Sequence, residues 1–360
     1  MTREPTPRKL RIAVLFGGRS AEHEVSVMSA TNVVAALDPD KYDVLPVFVT
    51  REGRWLMSEV ADGVLARPAE GTELALLPGG RGRVIALPPA GAPQEIAAID
   101  ALFPVLHGPH GEDGTVQGHA AVAGVPLVGC GLTGSATAID KDIAKRLFAQ
   151  AGVPHARGIV IHPGAEPDFA AVSRELGLPV FVKPARQGSS VGVSKVTSEV
   201  EYRAALAEGF RHDGKLLAEE FVKGREIEFA VLETPEGELI VSRPGEIAPA
   251  ESHGFYSYDA KYIDADGAAL MVPAQLPEDV EDAMRAMAAT AFRALGCDGM
   301  ARVDFFLKAD GEFLVNEANT IPGFTNISMY PKAMAVSGVG YAELIDRLVA
   351  HGLARNQKVA

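Results

Sequence analysis

The chain has 360 residues, of which 47% are hydrophobic and 22% charged, which suits a folded protein of two or three domains and excludes a disordered or fibrous one. The net charge of -13 argues against a nucleic-acid partner, because an acidic surface repels phosphate backbones. No apolar run reaches the roughly 20 residues of a membrane helix, and residues 1–9 are polar with no apolar signal core behind them. We expect a cytoplasmic protein without a membrane partner, and two widely spaced cysteines suit a reducing compartment.

The first fifty residues predict a βαβ unit. Residues 10–16 are an apolar run that enters a Gly17-Gly18 turn, residues 20–37 have helical character, and residues 42–49 form a second apolar run. This order is typical of a parallel sheet in an α/β protein. Residues 51–98 are less regular, and we interpret them as an insertion with short strands or turns.

The next segment completes the predicted N-terminal domain. A strand over residues 99–106 leads into a His- and Gly-rich loop, followed by a helix over 115–123, a short strand over 125–128 and a helix over 139–151. The composition changes near residue 129. We therefore predict an N-terminal Rossmann-like domain over residues 1–129, a central domain over 130–214 and a C-terminal domain over 215–360.

The rest of the chain has the pattern of an α+β protein. Residues 278–295 form a strongly amphipathic helix, and residues 242–263 form a long polar stretch with little periodicity, which predicts a functional loop. A last helix is predicted over residues 341–351. The remaining predicted elements are strands, over residues 180–184, 193–196, 215–221, 225–232, 300–308 and 312–316.

An acidic hairpin near residue 310 carries the strongest chemical signal. Asp304 lies on its first strand, and Glu317 and Asn319 lie at or beyond the end of the second, two residues apart and hence on one face. Three oxygen ligands suit a hard cation such as Mg²⁺ that also holds phosphate oxygens. Arg302 shares the face of Asp304 and could stabilise an oxyanion. The alternative is a solvated hairpin, against which the flanking apolar residues argue.

A second signal is the Gly- and Ser-rich loop that follows Lys183. Lys183 ends an apolar strand, and Ser189 and Ser190 lie between Gly188 and Gly192, so backbone N–H groups and hydroxyls can approach a phosphate. The loop lacks the GxxxxGK[ST] pattern of a P-loop. Its alternative interpretation is an ordinary hairpin loop.

Three weaker signals complete the set. Glu219, Glu220 and Glu226 flank an apolar pair at a strand end and could bind an adenine amino group and ribose hydroxyls, or form an exposed acidic edge. Glu22 follows the first turn and either marks a substrate site or only complements the helix dipole. His107 and His110 have no third ligand at zinc-binding spacing, so we do not expect zinc.

Taken together, six ordered motifs resemble those of the ATP-grasp superfamily and, within it, the D-alanine–D-alanine ligases. The resemblance covers nearly the whole chain and includes the longer insertion at 51–98. The motifs are residues 17–26 (GGRSAEHEVS), 107–118 (HGPHGEDGTVQG), 140–141 (DK), the Lys183 loop, 258–262 (YDAKY), and 302–306 (RVDFF) with 316–331 (NEANTIPGFTNISMYP).

The resemblance implies an ATP-dependent ligase that joins two D-alanines through a D-alanyl phosphate for peptidoglycan precursor synthesis. It implies ATP between the central and C-terminal domains, two Mg²⁺ or Mn²⁺ ions, and a homodimer. The nucleotide and metal residues that it implies are Lys141, Lys183, Ser189, Ser190, Glu219, Glu220, Val222 and Glu226 for ATP, and Asp304, Glu317 and Asn319 for metal. Glu220 replaces a lysine of some relatives, which puts its own adenine contact in doubt.

The same resemblance implies the substrate site. Glu22 would hold the ammonium of the first D-alanine, and Arg302 and the backbone at Gly323 would stabilise the tetrahedral oxyanion. The implied catalytic and substrate-binding residues are Glu22, His107, Ser189, Lys261, Tyr262, Arg302, Gly323 and Ser328. Tyr262, Glu22 and Ser189 would form a hydrogen-bonded triad that joins residues 242–263, as a lid, to the first domain.

Three rival functions remain at this stage. A nicotinamide oxidoreductase lacks support because GxGxxG is missing, and a non-catalytic nucleotide-binding protein lacks support because the ligand set is complete. A D-alanine–D-lactate ligase is the closest rival. In the family, tyrosine at the position of Tyr262 accompanies an amine as second substrate.

Overall fold

The computed structural model describes residues 8–249 and 268–359. The first seven-stranded sheet has the order β8-β7-β6-β3-β2-β1-β9, and β1 pairs in parallel with both β2 and β9. Residues Ile12 to Phe16 of β1 are all buried, as expected for a central parallel strand covered on both faces. Its strands are β1 Leu10–Gly17, β2 Tyr42–Val49, β3 Trp55–Met57, β6 Glu73–Leu76, β7 Val84–Leu87, β8 Gln94–Ile96 and β9 Ala101–Pro104, with helices α1 His23–Ala36 and α2 Thr115–Ala123.

The predicted insertion over 51–98 extends this sheet. Four of its short strands, β3, β6, β7 and β8, continue the sheet in antiparallel steps, while β4 (Val60–Ala61) and β5 (Val64–Leu65) form a separate pair. The predicted strand over 125–128 is wrong, because only Leu127 makes an isolated bridge to Leu102. Pro126 has no N–H to donate to a ladder.

A four-stranded antiparallel sheet follows, with the order β10-β13-β11-β12. Val172 and Leu176 of α5 and Tyr202 and Ala205 of α6 are buried against one face of this sheet. The sequence patterns predicted neither helix. The elements of this part are α3 Leu132–Ile139, α4 Lys141–Gln150, β10 Gly158–Ile161, α5 Phe169–Leu176, β11 Val180–Pro184, β12 Ser194–Val196, α6 Glu199–Gly209 and β13 Leu216–Glu220.

The helix predicted over 139–151 is confirmed as α4, Lys141–Gln150, whereas the helix before it, α3, was not predicted, and the two helices meet at Asp140. The backbone of Asp140 is extended (ψ 98°), and its carboxylate accepts hydrogen bonds from the N–H groups of Asp142 and Ile143 at 3.2 Å each. Asp140 is therefore the N-cap of α4. This break places Lys141 at the first position of α4.

The last part is a six-stranded antiparallel sheet in which β14 lies between β16 and β18. Helix α7 packs against this sheet and buries Met284, Ala288, Ala291 and Phe292. The helical spacing of these apolar residues is the pattern that predicted the helix. The elements are β14 Arg225–Glu233, β15 Leu239–Val241, β16 Gly245–Pro249, β17 Ala268–Met271, α7 Glu278–Ala294, β18 Met300–Leu307, β19 Phe313–Asn319, α8 Met329–Val336 and α9 Tyr341–Val359.

Three further predictions in this part need correction. Strand β19 runs to Asn319, so Glu317 and Asn319 lie on the strand and not beyond its end. Strand β16 occupies residues 245–249 of the predicted irregular loop, and residues 250–263 of that loop lie outside the described residues. Helix α9 continues past His351 to Val359, and it contains Gly352 at a close-contact position: a Cβ there would lie 2.4 Å from the carbonyl oxygen of Leu127.

The overall fold class, mixed α/β with an α+β second half, is confirmed. The first and last parts also share one hydrophobic core, in which Ile12 and Phe103 pack with Phe324, Leu344 and Leu348. The segment after β19 is therefore packed against the N-terminal sheet. None of the helices in the described part of the chain is long and apolar enough to cross a membrane.

Candidate active site

A cavity of about 570 Å³ lies between the four-stranded and six-stranded sheets. Strands β11 and β13 form one wall, and β14, β16, β18 and β19 form the other. All eight residues that the sequence assigns to ATP line this one cavity, together with Glu317: they are Lys141, Lys183, Ser189, Ser190, Glu219, Glu220, Val222 and Glu226. The structure therefore brings together residues from four separate motifs.

Two lysines and one glutamate form a buried charge cluster in the cavity wall. The ammonium groups of Lys183 and Lys145 each contact one carboxylate oxygen of Glu219. Burial alone would raise the pKa of the Glu219 carboxyl, but the two ammonium groups outweigh burial and lower it. Burial lowers the pKa of Lys145, against the opposing effect of Glu219. The cluster presents net positive charge, which suits an anionic ligand.

The loop after β11 is held in an uncommon backbone conformation. Ser189 and Ser190 have φ values of 48° and 59°, a left-handed region in which residues other than glycine are strained. The Lys141 ammonium donates to the Gln187 carbonyl oxygen at 2.8 Å and lies 3.4 Å from a Glu317 carboxylate oxygen. Lys141 thus connects this loop to β19.

The opposite end of the cavity is more apolar. Phe181, Phe221, Val222 and Phe306 line it, and Val222 packs with Phe306 in a small apolar cluster. Such surfaces suit a planar base.

The Glu220 carboxylate faces away toward Arg157, with an Nη2–Oε2 distance of 2.6 Å. Burial would raise the pKa of Glu220, but Arg157 outweighs burial and lowers it. Glu220 thus lines the cavity while its carboxylate forms an ion pair with Arg157.

One face of the β18–β19 hairpin carries four polar side chains. Asp304 is opposite Glu317, and Arg302 is opposite Asn319, in the antiparallel register. A β-bulge between Asp304 and Phe305 leaves Asn316 as the extra residue, so the register shifts by one and places Glu317 on this face. Bulges of this kind re-aim side chains next to active sites.

The Arg302 guanidinium is held from two sides. It donates two hydrogen bonds to Asp304, at 2.8 and 2.7 Å, and its Nε lies 3.0 Å from a carboxylate oxygen of Glu228. Burial would lower the pKa of Arg302, but Asp304 and Glu228 outweigh it and raise the pKa. Arg302 is therefore a fixed, permanently charged group, and the carboxamide of Asn319 donates to Asp304 at 2.9 Å beside it.

The donor set fits a divalent cation. Asp304, Glu317 and Asn319 offer oxygen atoms on one face, and opposite residues of an antiparallel pair have Cβ atoms about 5 Å apart. Mg²⁺ is commonly held by one or two carboxylates together with phosphate oxygens and water. Within the described part of the chain, no group of three or more Asp, Glu, His or Cys side chains is arranged to hold a metal ion without further ligands.

The N-terminal part of the chain reaches the site through Glu22. The Ser189 hydroxyl donates to a carboxylate oxygen of Glu22, which joins the first helix to the loop after β11. A Cβ added to Gly188 or Gly108 would lie 3.1 or 3.0 Å from the other Glu22 oxygen. Both loops therefore approach Glu22 closely because they have glycine at these positions.

His107 and Glu112 are buried behind this point and contact the segment that follows β19. The ring nitrogens of His107 lie 2.8 Å from the Ile321 carbonyl oxygen and 3.2 Å from the Ser29 hydroxyl. The Glu112 carboxylate accepts the N–H groups of Gly108 and Ile321, each at 2.8 Å. Burial, aided by the nearby Glu22 charge, raises the pKa of Glu112 to about 8, and burial lowers the pKa of His107.

Two more predicted residues lie together just after β19. A Cβ on Gly323 would lie 2.6 Å from the Ser328 hydroxyl oxygen, so only glycine allows this approach. The Ser328 hydroxyl accepts the N–H of Thr325 at 3.0 Å. Lys261 and Tyr262, by contrast, lie outside the described residues, so their places in the site stay predictions.

Sequence reasoning missed several residues that border the site. Lys145 follows Lys141 by four residues on α4, and Glu228 follows Glu226 by two on β14. Both spacings place the second residue on the face of the first, which was a usable signal. Phe181 precedes Lys183 by two residues, and Phe306 follows Asp304 by two.

Solved structures with this architecture define the class. The D-alanine–D-alanine ligase of Coxiella burnetii superposes with a TM-score of 0.83 at 33% identity, covering 98% of this chain and 96% of that one. The VanG D-Ala:D-Ser ligase of Enterococcus faecalis gives 0.81 at 34% identity, covering 96% and 100%. The fold is the ATP-grasp fold.

Sequence relatives narrow the class to one family. The D-ala D-ala ligase N-terminus model matches residues 11–130 and the C-terminus model matches residues 147–350. D-alanine–D-alanine ligase A of Brucella suis biovar 1 is 64% identical over 347 residues, 96% of this chain and 98% of that protein. The ligase A of Mesorhizobium japonicum is 55% identical over 354 residues, 97% and 99%. The chain belongs to the D-alanine–D-alanine ligase family.

Proposed function

We propose that the protein joins two molecules of D-alanine to D-alanyl-D-alanine, with release of ADP and phosphate, for the synthesis of peptidoglycan precursors. The observation that carries the proposal is the single cavity in which eight predicted ATP residues meet the β18–β19 hairpin with its Arg302–Asp304 pair. The relatives named D-alanine–D-alanine ligase, identical at up to 64% over nearly the whole chain, supply the substrate class.

ATP would lie with its base among Phe181, Val222 and Phe306 and with its phosphates near the positive cluster. Lys141 and Lys183, with the Ser189 and Ser190 loop, would hold the phosphates, while Glu226 would bind the ribose. Because the Glu220 carboxylate pairs with Arg157, its contribution to adenine would come from the backbone. We also propose the division of the chain into domains over 1–129, 130–214 and 215–360, with ATP between the last two.

Asp304, Glu317 and Asn319 would hold two Mg²⁺ or Mn²⁺ ions. The bound metal would neutralise charge on the nucleotide phosphates. The chain's own contribution is to orient the reactants. Arg302 is fixed by Asp304 and Glu228, so it needs no reorganisation when negative charge develops beside it.

The substrate end of the site lies near Glu22 and Gly323. Glu22 would hold the ammonium of the first D-alanine, whose carboxylate attacks the γ-phosphate to give D-alanyl phosphate and ADP. The amine of a second D-alanine, its carboxylate held by Ser328 and Lys261, would then attack the acyl carbon and release phosphate. Arg302 and the N–H of Gly323 would stabilise the tetrahedral oxyanion. Ser189 and Tyr262 would join Glu22 in a hydrogen-bonded triad.

The protein would act in the cytoplasm as a homodimer without a membrane or nucleic-acid partner. The charge of -13 supports the absence of nucleic-acid binding, and the described helices lack a membrane span. ATP supply and a water-soluble product both suit the cytoplasm.

A substrate comparison tests the proposal. Purified protein with Mg-ATP is given D-alanine, L-alanine, or D-alanine with D-lactate or D-serine, and phosphate release and product mass are measured. We expect phosphate release with D-alanine alone and a D-alanyl-D-alanine product, with no release for L-alanine. If D-alanine elicits no phosphate release while ATP still binds, the substrate is another carboxylate–amine pair.

The comparison also addresses the second substrate. The similarity to a D-Ala:D-Ser ligase at a TM-score of 0.81 means that the fold serves more than one second substrate. A mixed product in the presence of equimolar D-serine or D-lactate would assign the protein to one of those specificities. We expect D-alanyl-D-alanine to predominate.

A further inference from the structure

The segment between Asn319 and Gly323 is held by side chains from the N-terminal part of the chain. Four side chains make these hydrogen bonds, and we call them the clamp: Ser29, Asn32, His107 and Glu112. They bind the backbone of only two residues, Ile321 and Phe324. The segment thus has fixed backbone contacts immediately after the predicted metal ligand Asn319 and on both sides of the predicted oxyanion donor Gly323.

His107 is fully engaged by protein partners. A carbonyl oxygen can only accept, so Nδ1 must carry the proton that it shares with the Ile321 carbonyl oxygen at 2.8 Å. In the neutral ring Nε2 then accepts from the Ser29 hydroxyl at 3.2 Å, and that hydroxyl in turn accepts the N–H of Phe324 at 3.1 Å. Both ring nitrogens of His107 therefore have a protein partner. A direct hydrogen bond from His107 to substrate would have to replace one of these two partners.

Glu112 binds the other side of the same residue. One carboxylate oxygen accepts the N–H of Ile321 and the other accepts the N–H of Gly108, each at 2.8 Å. Both backbone groups of Ile321 are therefore bound by the His107–Glu112 loop, its carbonyl by His107 and its N–H by Glu112. Removing one acceptor would leave a partly buried N–H without its partner.

The other two clamp residues, Ser29 and Asn32, bind the backbone of Phe324. Ser29 and Asn32 are three residues apart on α1, so they lie on one face of that helix. The Asn32 amide donates to the Phe324 carbonyl oxygen at 3.1 Å, and the Tyr341 hydroxyl donates to the same oxygen at 2.7 Å. Glu22 is the N-cap residue of helix α1, so this helix connects the predicted ammonium site with the segment after β19.

We propose that His107 and Glu112 are positioning residues of the ligase reaction, which act by fixing Ile321 and thereby aim the Gly323 N–H and the Asn319 side chain, and that neither residue binds substrate. The inference rests on the proposed function for its reaction. Displacements of about 1 Å in a positioned group can cost roughly a hundredfold in rate, so a clamp on backbone atoms has a kinetic consequence.

The test uses conservative variants of the full-length protein. Glu112→Gln keeps the shape but replaces one of the two carboxyl oxygens that accept a backbone N–H with an amide nitrogen, which cannot accept. His107→Asn can keep the Nδ1 donor to Ile321, whereas His107→Gln can keep only the Nε2 position. Asp298→Asn is the matched control, because Asp298 also accepts a backbone N–H across distant parts of the chain, from Gly131 at 2.5 Å, outside the site.

Four quantities are measured for each variant: kcat, the KM values for D-alanine and ATP, the melting temperature, and the exchange rate of the Ile321 amide with deuterium. We expect kcat to fall roughly ten- to a hundredfold in Glu112→Gln and His107→Gln, with KM values within about threefold of the wild type. His107→Asn should retain more kcat than His107→Gln. Amide exchange at Ile321 should accelerate in Glu112→Gln but not in Asp298→Asn.

Other outcomes overturn the inference. A rise in the KM for D-alanine at unchanged kcat would make His107 or Glu112 a substrate ligand. A lower melting temperature with unchanged kcat would make the clamp only structural. An active wild type with a fully active Glu112→Gln overturns this inference alone, whereas a wild type that forms no dipeptide overturns the proposed function and this inference together.

Discussion

At the scale of single residues, the site is built from buried charges that are paired with one another before any ligand binds. Glu219 holds Lys183 and Lys145, and Asp304 with Glu228 holds Arg302. Breaking a buried pair by removing one partner is costly, because the remaining charge has lost its solvent and its partner. These residues therefore affect both stability and ligand binding.

Replacing Glu219 with a neutral residue separates its effect on stability from its effect on ligand binding. Glu219→Gln leaves two ammonium groups beside a neutral amide, so we expect the free energy of unfolding to fall by about 3 kcal/mol and the KM for ATP to rise roughly tenfold. Urea unfolding and steady-state kinetics measure the two quantities. Glu281→Gln is the control, since Glu281 is also a buried carboxylate, paired with Arg285 and Arg243 outside the cavity. An ATP KM that rises equally in both variants would refute a local effect.

Glu112 predicts a pH dependence of stability. Its pKa is raised from 4.5 to about 8 in the folded protein, so the folded state holds the proton more tightly than the unfolded chain. Its contribution to stability is complete below about pH 4.5 and is lost as the pH rises through about 8. We expect the unfolding free energy of wild type minus Glu112→Gln to fall by about 1 kcal/mol per pH unit between these values. A difference independent of pH would contradict the raised pKa.

At the scale of elements, helix ends place the charged residues. Asp140 caps α4, and its carboxylate also accepts the Lys215 ammonium at 2.7 Å. The N–H of Lys141 donates to the Ala185 carbonyl oxygen at 2.9 Å, which fixes the start of the helix against the strand that carries Lys183. The cap thus sets the distance between the two predicted phosphate lysines.

Removing the cap should therefore weaken nucleotide binding as well as the helix. For Asp140→Ala we expect a loss of about 1–2 kcal/mol in the free energy of unfolding and a several-fold rise in the dissociation constant for ATP. Asp168→Ala is the matched control, because Asp168 caps α5 through the N–H of Ala171 at a distance from the cavity. Equal loss of ATP affinity in both variants would show that the cap of α4 has no special role.

The elements also show what the sequence could predict. Strand β11 and the helix α2 were predicted with the observed bounds, because an apolar run or a period of 3.6 identifies such elements locally. The helix predicted over 139–151 is α4, which is two residues shorter at its start and one at its end, whereas helix α3 was not predicted. Helices α5 and α6 were missed because no motif drew attention to their segments.

The bulge in the β18–β19 hairpin also could not be predicted from the sequence. The spacing of Asp304, Glu317 and Asn319 predicted their chemistry, but the extra residue Asn316 that puts Glu317 opposite Asp304 depends on the pairing of two strands. Pairing register is a tertiary property, and short strand patterns leave it open.

At the scale of the whole molecule, the site depends on contacts between residues that lie far apart in the sequence. The six ordered motifs were enough to predict the fold, and the sequence predicted part of the set of residues around the cavity. The contacts between them were beyond sequence reasoning, since His107 and Ile321 are 214 residues apart and Arg157 and Glu220 are 63 apart. The contact between His107 and Ile321 exists only when the N-terminal sheet and the segment after β19 share a core.

Ligand binding should stabilise this assembly as a unit. At about 100 times its dissociation constant, a ligand that binds only the folded state adds about 2.7 kcal/mol to the free energy of unfolding. We therefore expect Mg-ATP to raise the melting temperature by several degrees, and excess chelator to reverse most of the gain. In Asp304→Asn, magnesium should add little beyond ATP alone. A magnesium effect of wild-type size in that variant would remove Asp304 from the metal site.

The most direct test of the central claim follows oxygen through the reaction. If the first D-alanine carboxylate attacks the γ-phosphate and the second amine then displaces phosphate, one carboxylate oxygen must leave with the phosphate. D-alanine labelled with ¹⁸O in its carboxylate is incubated with Mg-ATP and the protein, and the released phosphate is analysed by mass spectrometry. The account predicts one ¹⁸O atom in each phosphate formed together with D-alanyl-D-alanine. Dipeptide formation with unlabelled phosphate would contradict it.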